Sequence, residues 1–135
     1  MNKRQQVIEQ LWTRLGDISL ANGYQTDFAA VRLWDDIPTE YGQNEIVLKD
    51  TRVKFEKKNK YTATVRIEII AIVIESATDH ASELGNIALE DLTRAVLSLE
   101  SDKFIVNLVE AFKFVQTKGK TACEVELNID VKYQF

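Results

Sequence analysis

The stretch KTACEVELNIDVKYQF, residues 120–135, decides the fold of this chain. From Thr121 onward its odd positions are apolar or hydroxyl-bearing, whereas its even positions after Ala122 are charged or amide side chains. Alternation with a period of two predicts a β-strand with one buried face and one polar face. We therefore expect a long strand that ends on the aromatic Phe135 and carries Cys123 on its apolar face.

A second long strand is predicted over residues 61–75. Its odd positions, from Tyr61 to Val73, are mostly apolar, while the opposite face is polar from Thr62 to Glu68 and apolar from Ile70 to Ile74. This change predicts that the first half has one solvated face and that the second half is covered on both sides. Residues 45–57 are also extended, and the turn-prone Asn59 in KKNK connects them to this strand as a β-hairpin.

Two segments have the spacing of amphipathic helices. The first, residues 3–20, ends at Asn22-Gly23, where the glycine supplies a left-handed cap. The second follows the capping-box-like SATD, residues 76–79, in which Ser76, Thr78 or Asp79 is the cap, and runs to about Leu99. The predicted apolar stripes are Val7, Ile8, Leu11, Trp12, Leu15 and Ile18, then Leu84, Ile87, Ala88, Leu92, Ala95, Val96 and Leu99.

The remaining segments are less regular. We predict a short strand near Ala30–Trp34, a loop through Pro38, and one or two strands over residues 104–117, because β-branched and aromatic residues are frequent there. Trp34 is either a core residue or an interface anchor. The element order predicts a single α+β domain, residues 1–135, with a mainly antiparallel, mixed sheet, two helices on one face and a long protruding hairpin.

Composition limits the classes of function. With 45% hydrophobic and 28% charged residues, the chain has the composition of a globular domain, and its net charge of −4 gives no general reason to bind nucleic acid. The N-terminal MNKRQQVIEQ lacks the apolar core of a signal peptide, and the apolar run at residues 67–74 is too short to cross a bilayer. We expect a cytoplasmic protein, with no membrane partner and a reduced Cys123.

Groups that carry out catalysis do not converge in this sequence. His80 is the one histidine, beside Asp79, and the one cysteine is expected to be a packed thiol rather than a nucleophile. Asp35-Asp36 is an isolated acidic pair, and no glycine-rich loop is present to hold phosphate. We therefore predict no enzymatic activity, no catalytic residue, no cofactor and no metal site.

The predicted strands are long for a domain of this size. A strand of 15 residues spans about 50 Å, whereas a compact domain of this length is roughly 35–40 Å across. Either the strands contain bulges and bends, or the hairpin over residues 51–66 projects from the core to contact another molecule.

Charge is divided unevenly along the chain. Residues 49–60 hold six basic and two acidic residues, whereas the second helix is acidic. The hairpin of one copy docking on the helix of the next would form a head-to-tail ring, although two unrelated solvated faces explain the same pattern. Contact of the hairpin with DNA is less favoured, because few aromatic residues accompany it. The candidate interface residues are Arg52, Lys54, Lys57, Lys58, Lys60, Glu83, Glu90 and Asp91.

Across nearly its whole length, the pattern resembles the tail terminator, or tail completion, proteins of long-tailed bacteriophages and prophages. The matching pieces are RQQVIEQLWTRLGDI leading to NGYQTD, VRLWDDIPTEYGQ, the hairpin ending TVRIEIIAIVIES, the helix ASELGNIALEDLTRAVLS and the final ACEVELNIDVKYQF. The proline-containing loop DDIPTEYGQNEI follows the family pattern only loosely.

The resemblance implies a structural role. Members of that family form a homo-oligomeric ring, typically a hexamer, that caps the tail tube, ends its polymerisation and offers a surface for head attachment. The implied partners are other copies of the chain, the tail tube protein and a head-completion or connector protein, with DNA only passing through the lumen. The implied location is the tail–head junction of the virion, after assembly in the host cytoplasm. Another neck or baseplate component, or a small-ligand-binding α+β domain, are the alternatives.

Overall fold

The computed structural model describes residues 2–58 and 60–134, so the turn predicted at Asn59 and the aromatic strand end predicted at Phe135 lie outside the described residues. The elements in chain order are α1 (Lys3–Gly16), β1 (Ala30–Leu33), β2 (Glu45–Lys57), β3 (Tyr61–Ile74), α2 (Ala81–Leu97), β4 (Phe104–Lys118) and β5 (Lys120–Gln134). A 3₁₀ turn, Leu20–Asn22, follows α1. This is the predicted α+β fold.

The five strands form one mixed sheet in the order β1-β2-β3-β5-β4. Only β1 and β2 are parallel; the other neighbouring pairs are antiparallel. The register of β3 on β5 runs from Thr62 opposite Gln134 to Ile74 opposite Ala122 without a shift. The alternation in the sequence therefore produced two long unbroken strands, which lie side by side in the middle of the sheet.

Both helices pack on one face of this sheet, as predicted. The odd-numbered side chains of β3 and β5 point to that face and form one core with the apolar stripes of α1 and α2. Several of these side chains are fully buried, which is the largest stabilising contribution of the fold. The most deeply buried large side chains include Ile8, Leu11, Leu15, Ile46, Leu48, Ile67, Ile69, Leu92 and Ile129.

The face opposite the helices, called the open face below, is apolar at one end and polar at the other. At the apolar end, Ile37 and Tyr41 of the loop after β1 pack on Ile72, Ile74 and Ala122. This confirms that the second half of β3 is covered on both sides. The polar half carries the ion pair between Arg66 Nε and Asp130 Oδ1, 2.6 Å apart.

The hairpin between β2 and β3 exists, but it is not a free two-stranded arm. Because β5 pairs with β3 as far as Thr62, the sheet continues almost to the hairpin tip. The first explanation offered for strand length, bulges and bends, applies to two of the long strands, whereas contact of the hairpin with another molecule stays a prediction. Bulges interrupt β2 between Asp50 and Arg52 and β4 between Leu108 and Glu110, whereas β3 and β5 are unbroken.

Several local predictions were wrong. The first helix ends at Gly16, before the predicted Asn22-Gly23, and the left-handed Gly23 caps the 3₁₀ turn instead. The second helix has His80 at its N-cap, with no side-chain hydrogen bond to the helix. Trp12, expected in the core, is 45% exposed and donates a hydrogen bond from Nε1 to the Val31 carbonyl at 2.9 Å.

Candidate functional site

The strand β4 exposes large apolar side chains at an edge of the sheet. It lies at one edge of the sheet, with β5 as its neighbour on one side. Six of its large apolar side chains are each between 42% and 51% exposed. They are Ile105, Leu108, Val109, Phe112, Phe114 and Val115.

These side chains occur on both faces of β4. Phe112 and Phe114 lie opposite Glu126 and Glu124 and so share the open face, whereas Val115, opposite Cys123, shares the helix face. Burying the exposed half of one such side chain stabilises by about 1 kcal/mol. A long, apolar strand at a sheet edge is a template for pairing with another chain, and proteins that stay monomeric usually protect such edges.

The opposite edge of the sheet is only partly covered. The strand β1 pairs with β2 over Glu45–Leu48 alone, and the Trp34 amide then donates to the Leu48 carbonyl at 2.8 Å. Trp34 adopts a left-handed backbone with φ of 51°, which ends β1. Within the part of the chain that the structure describes, no strand pairs with the outer side of β2 beyond this point.

Trp34 lies beside this edge and is 53% exposed, so it is not a core residue. Its Nε1 donates to Asp50 Oδ1 at 2.5 Å, and Arg4 Nε donates to Asp50 Oδ2 at 2.5 Å. Although burial of the carboxyl opposes the change, these two hydrogen bonds lower the pKa of Asp50. The ionised carboxylate thus ties the N-terminal end of α1 to β2.

The predicted interface residues fall into three groups. Five basic residues of the hairpin are exposed: Arg52, Lys54, Lys57, Lys58 and Lys60. Glu83 and Glu90 are exposed on α2. Asp91 is only 1% exposed; it accepts hydrogen bonds from the Gln25 amide at 2.9 Å and the Thr26 hydroxyl at 2.5 Å. Asp91 therefore holds the segment after the 3₁₀ turn against α2 and is not part of the outer surface.

Cys123 and His80 are the cysteine and the histidine of the chain. Cys123 is buried under α2, as predicted, and burial raises the pKa of its thiol, which disfavours the reactive thiolate. His80 is exposed at the start of α2. Among residues 2–58 and 60–134, no group of three His, Cys, Asp or Glu side chains is placed to hold a metal ion.

One polar cluster was missed by the sequence analysis. The buried Glu124 accepts hydrogen bonds from the Tyr41 hydroxyl and from Gln116, and Lys118 Nζ lies 3.7 Å away. Burial and the hydrogen bond to Glu124 raise the pKa of Tyr41 to about 12. This cluster fastens the loop after β1 to the open face. The only signal in the sequence was a glutamate at an even position of β5, where several acidic residues occur.

The molecule also has an open cleft of about 400 Å³ between α1 and β1. It is lined by Trp12, Thr13, Gly16, Asp17 and residues 28–31. Charged groups do not converge on this cleft. None of the described helices is both long and apolar enough to span a membrane.

Compared with models of known protein families and with curated protein sequences, the chain matches none.

Proposed function

We propose that this chain is a phage tail assembly protein that acts as a homo-oligomeric ring. The ring caps the tail tube, ends tube polymerisation and presents the surface to which the head attaches. The observation that supports this proposal best is the exposed apolar edge strand β4, which lacks a partner strand on its outer side in the described part of the chain. The resemblance of the sequence pattern to tail terminators supports the same assignment.

Such a role requires shape and contacts rather than reacting groups. A head-to-tail ring needs two different surfaces on each copy that fit one another. The rotation between neighbouring copies must also close the ring, since otherwise the same contact produces an open filament. A terminator also needs a surface for the tube and a surface for the head. For the first requirement, the described part of the chain offers the outer side of β4 and the stretch of β2 beyond its pairing with β1.

The experiment for this proposal is electron microscopy of tails assembled with and without the protein. Tails that lack it should have tubes of uncontrolled length, and addition of the purified protein should restore a narrow length distribution. Tubes of normal length that fail to join heads would identify another neck component, and a defect at the far end of the tail would identify a baseplate component. Native mass measurement of the purified protein should show a ring.

The cleft between α1 and β1 supports the alternative of a small-ligand-binding domain. Its apolar lining by Trp12 and Phe28 is suited to an aromatic or aliphatic ligand. That function predicts a monomer at all concentrations and protection of Trp12 fluorescence from quenching when ligand binds. If Trp12→Ala leaves ring assembly unchanged, assembly does not depend on the cleft, and the assembly role is separate from the ligand-binding role.

A further inference from the structure

We infer that the outer edge of β2 pairs with β4 of a second copy, so that the sheets of successive copies join into one continuous sheet around the ring. The inference deepens the proposed function, on which it rests, because it names the contact by which copies associate. The sheet of one molecule has two edges of different character, one at β2 and the other at β4.

The β2 edge, defined as the outer side of residues 51–57, is basic and solvent-exposed. Arg52 and Lys54 lie opposite Arg66 and Thr64 of β3, which places both on the open face. Neither makes an ion pair with another described residue. Phe55, opposite the buried Ala63, lies on the helix face and is 65% exposed.

The β4 edge has the complementary arrangement on the same two faces. On the open face, Glu110 lies opposite Asn128, and Phe112 lies opposite Glu126. Glu110 and Glu126 form no ion pair within the described ranges. On the helix face, Leu108 and Val115 expose apolar side chains.

The faces match when the two edges are joined. A continuous sheet keeps its helix faces on one side, so Arg52 and Lys54 of one copy meet the acidic open face near Glu110 of the next. On the other side, Phe55 meets the exposed aliphatic side chains of β4. Opposite charges and apolar pairs across neighbouring strands each stabilise a sheet, whereas like charges destabilise it.

Strand direction also fits. Because β2 is antiparallel to β3, β3 to β5 and β5 to β4, the strands β2 and β5 share one direction and β3 and β4 share the other. Rotation about a ring axis leaves the direction of each strand along that axis unchanged. The β2 edge of one copy therefore meets β4 of its neighbour antiparallel, which is the more stable way to pair strands.

Pairing of β4 with β4 of another copy is the competing arrangement. It would form a two-fold dimer, place Glu110 near its own counterpart and leave the basic β2 edge unused. The heterologous arrangement uses both edges and satisfies the charges of each, so the observations favour it.

The test uses two variants, each altered on one edge at exposed positions. One carries Glu110→Lys with Phe112→Lys on β4, and the other carries Arg52→Glu with Lys54→Glu on β2. Each variant alone should lose the ring and sediment as a monomer, and a cooperative thermal transition should show that the monomer is folded. Mixed in equal amounts, the two should form complexes that contain both chains in a 1:1 ratio. The reason is that the β4 variant keeps an intact β2 edge and the β2 variant keeps an intact β4 edge.

The matched control is Glu83→Lys with Glu90→Lys, which reverses the same kind of charge on α2 and leaves the residues of both strand edges unchanged; this variant should keep the ring. If both edge variants still form a ring of the wild-type size, the inference is wrong and the proposed function stands. If the β2-edge variant dimerises alone while the β4-edge variant does not, β4 pairs with itself and the inference is wrong. A wild-type protein that is monomeric at every concentration overturns both.

Hydrogen exchange on the wild-type protein gives a second readout that needs no variant. Backbone amides of residues 51–57 and 105–115 should exchange more slowly in the assembled ring than in the diluted monomer. Amides of β3 and β5 should be slow in both states, since these strands are paired within one copy. Equal exchange of both edges in ring and monomer contradicts strand pairing between copies.

Discussion

At the scale of single residues, the contact between Gly85 and Cys123 decides how closely α2 lies on β5. A Cβ atom added at Gly85 would lie 2.4 Å from the Cys123 Sγ and 3.1 Å from its Cβ. Real carbon atoms do not approach so closely, and both residues are buried. Gly85 is therefore required for packing, even though glycine disfavours a helix interior.

We expect Gly85→Ala to lower the free energy of unfolding by about 1–3 kcal/mol, because the added methyl group overpacks the interface between helix and strand. Chemical denaturation measures this change. Gly16→Ala is the control, since nothing lies within 4 Å of a Cβ added there. Adding Cys123→Ala to Gly85→Ala should remove part of the loss, and strict additivity of the two changes would contradict the proposed contact.

Tyr41 is a second residue whose environment has a measurable consequence. Because burial and the hydrogen bond to Glu124 raise the pKa of its hydroxyl from 10.0 to about 12, the folded state holds the proton more tightly than the unfolded state. Stability from this group is fully present below pH 10 and is lost as the pH rises toward 12. The loss should be smaller in Tyr41→Phe, measured as the difference in melting temperature between pH 9 and pH 11.5.

At the scale of elements, the two helices begin differently. The Asn2 side chain accepts a hydrogen bond from the Gln5 amide at 2.7 Å and caps α1. At α2, His80 occupies the N-cap position with extended backbone angles but makes no cap hydrogen bond, and Glu75 instead accepts one from the Ala81 amide at 3.1 Å. The start of α2 is thus incompletely capped.

We expect His80→Asp to raise the free energy of unfolding by about 0.5–1 kcal/mol. An aspartate in this extended conformation can accept a hydrogen bond from the first turn, and its negative charge interacts favourably with the N-terminal end of the helix dipole. Thermal unfolding at pH 7 is the measurement. His80→Ala should be nearly neutral; equal effects of the two substitutions would show that capping is not the cause.

At the scale of the whole molecule, charged and apolar residues are distributed unevenly over the sheet. The basic residues of the hairpin lie at one end and edge of the sheet, and the apolar strand β4 lies at the other edge. Docking of the hairpin on the exposed Glu83 and Glu90 of α2 stays a prediction. Docking requires the acidic residues of α2, whereas strand pairing requires the acidic open face of β4 near Glu110.

Replacing Lys57, Lys58 and Lys60 with glutamate should weaken self-association, because the hairpin then loses its positive charge in either arrangement. Sedimentation at several protein concentrations measures the loss. Adding Glu83→Lys and Glu90→Lys to that variant separates the two arrangements: docking on α2 predicts recovery of the ring, whereas strand pairing predicts none. An unchanged ring in the triple variant would exclude the hairpin from the interface.

Much of the fold was predictable because its signals are local. The alternation in residues 61–75 and 120–135 and the helical stripes depend only on residues a few positions apart, so both long strands and both helices were found. The covered half of β3 was also predictable, since Ile70, Ile72 and Ile74 broke the polar alternation on one face.

The rest depended on which strands became neighbours, and that is set by contacts between residues far apart in the chain. The apolar residues on both faces of β4 would suit an interior strand, and only the sheet order places them at an edge. Asp91 is likewise buried only in the folded chain, where the hydroxyl of the distant Thr26 donates a hydrogen bond to its carboxylate. Sequence alone determined the elements and their faces; the tertiary structure decided which edges and charges stay exposed, because exposure is a property of the assembled sheet.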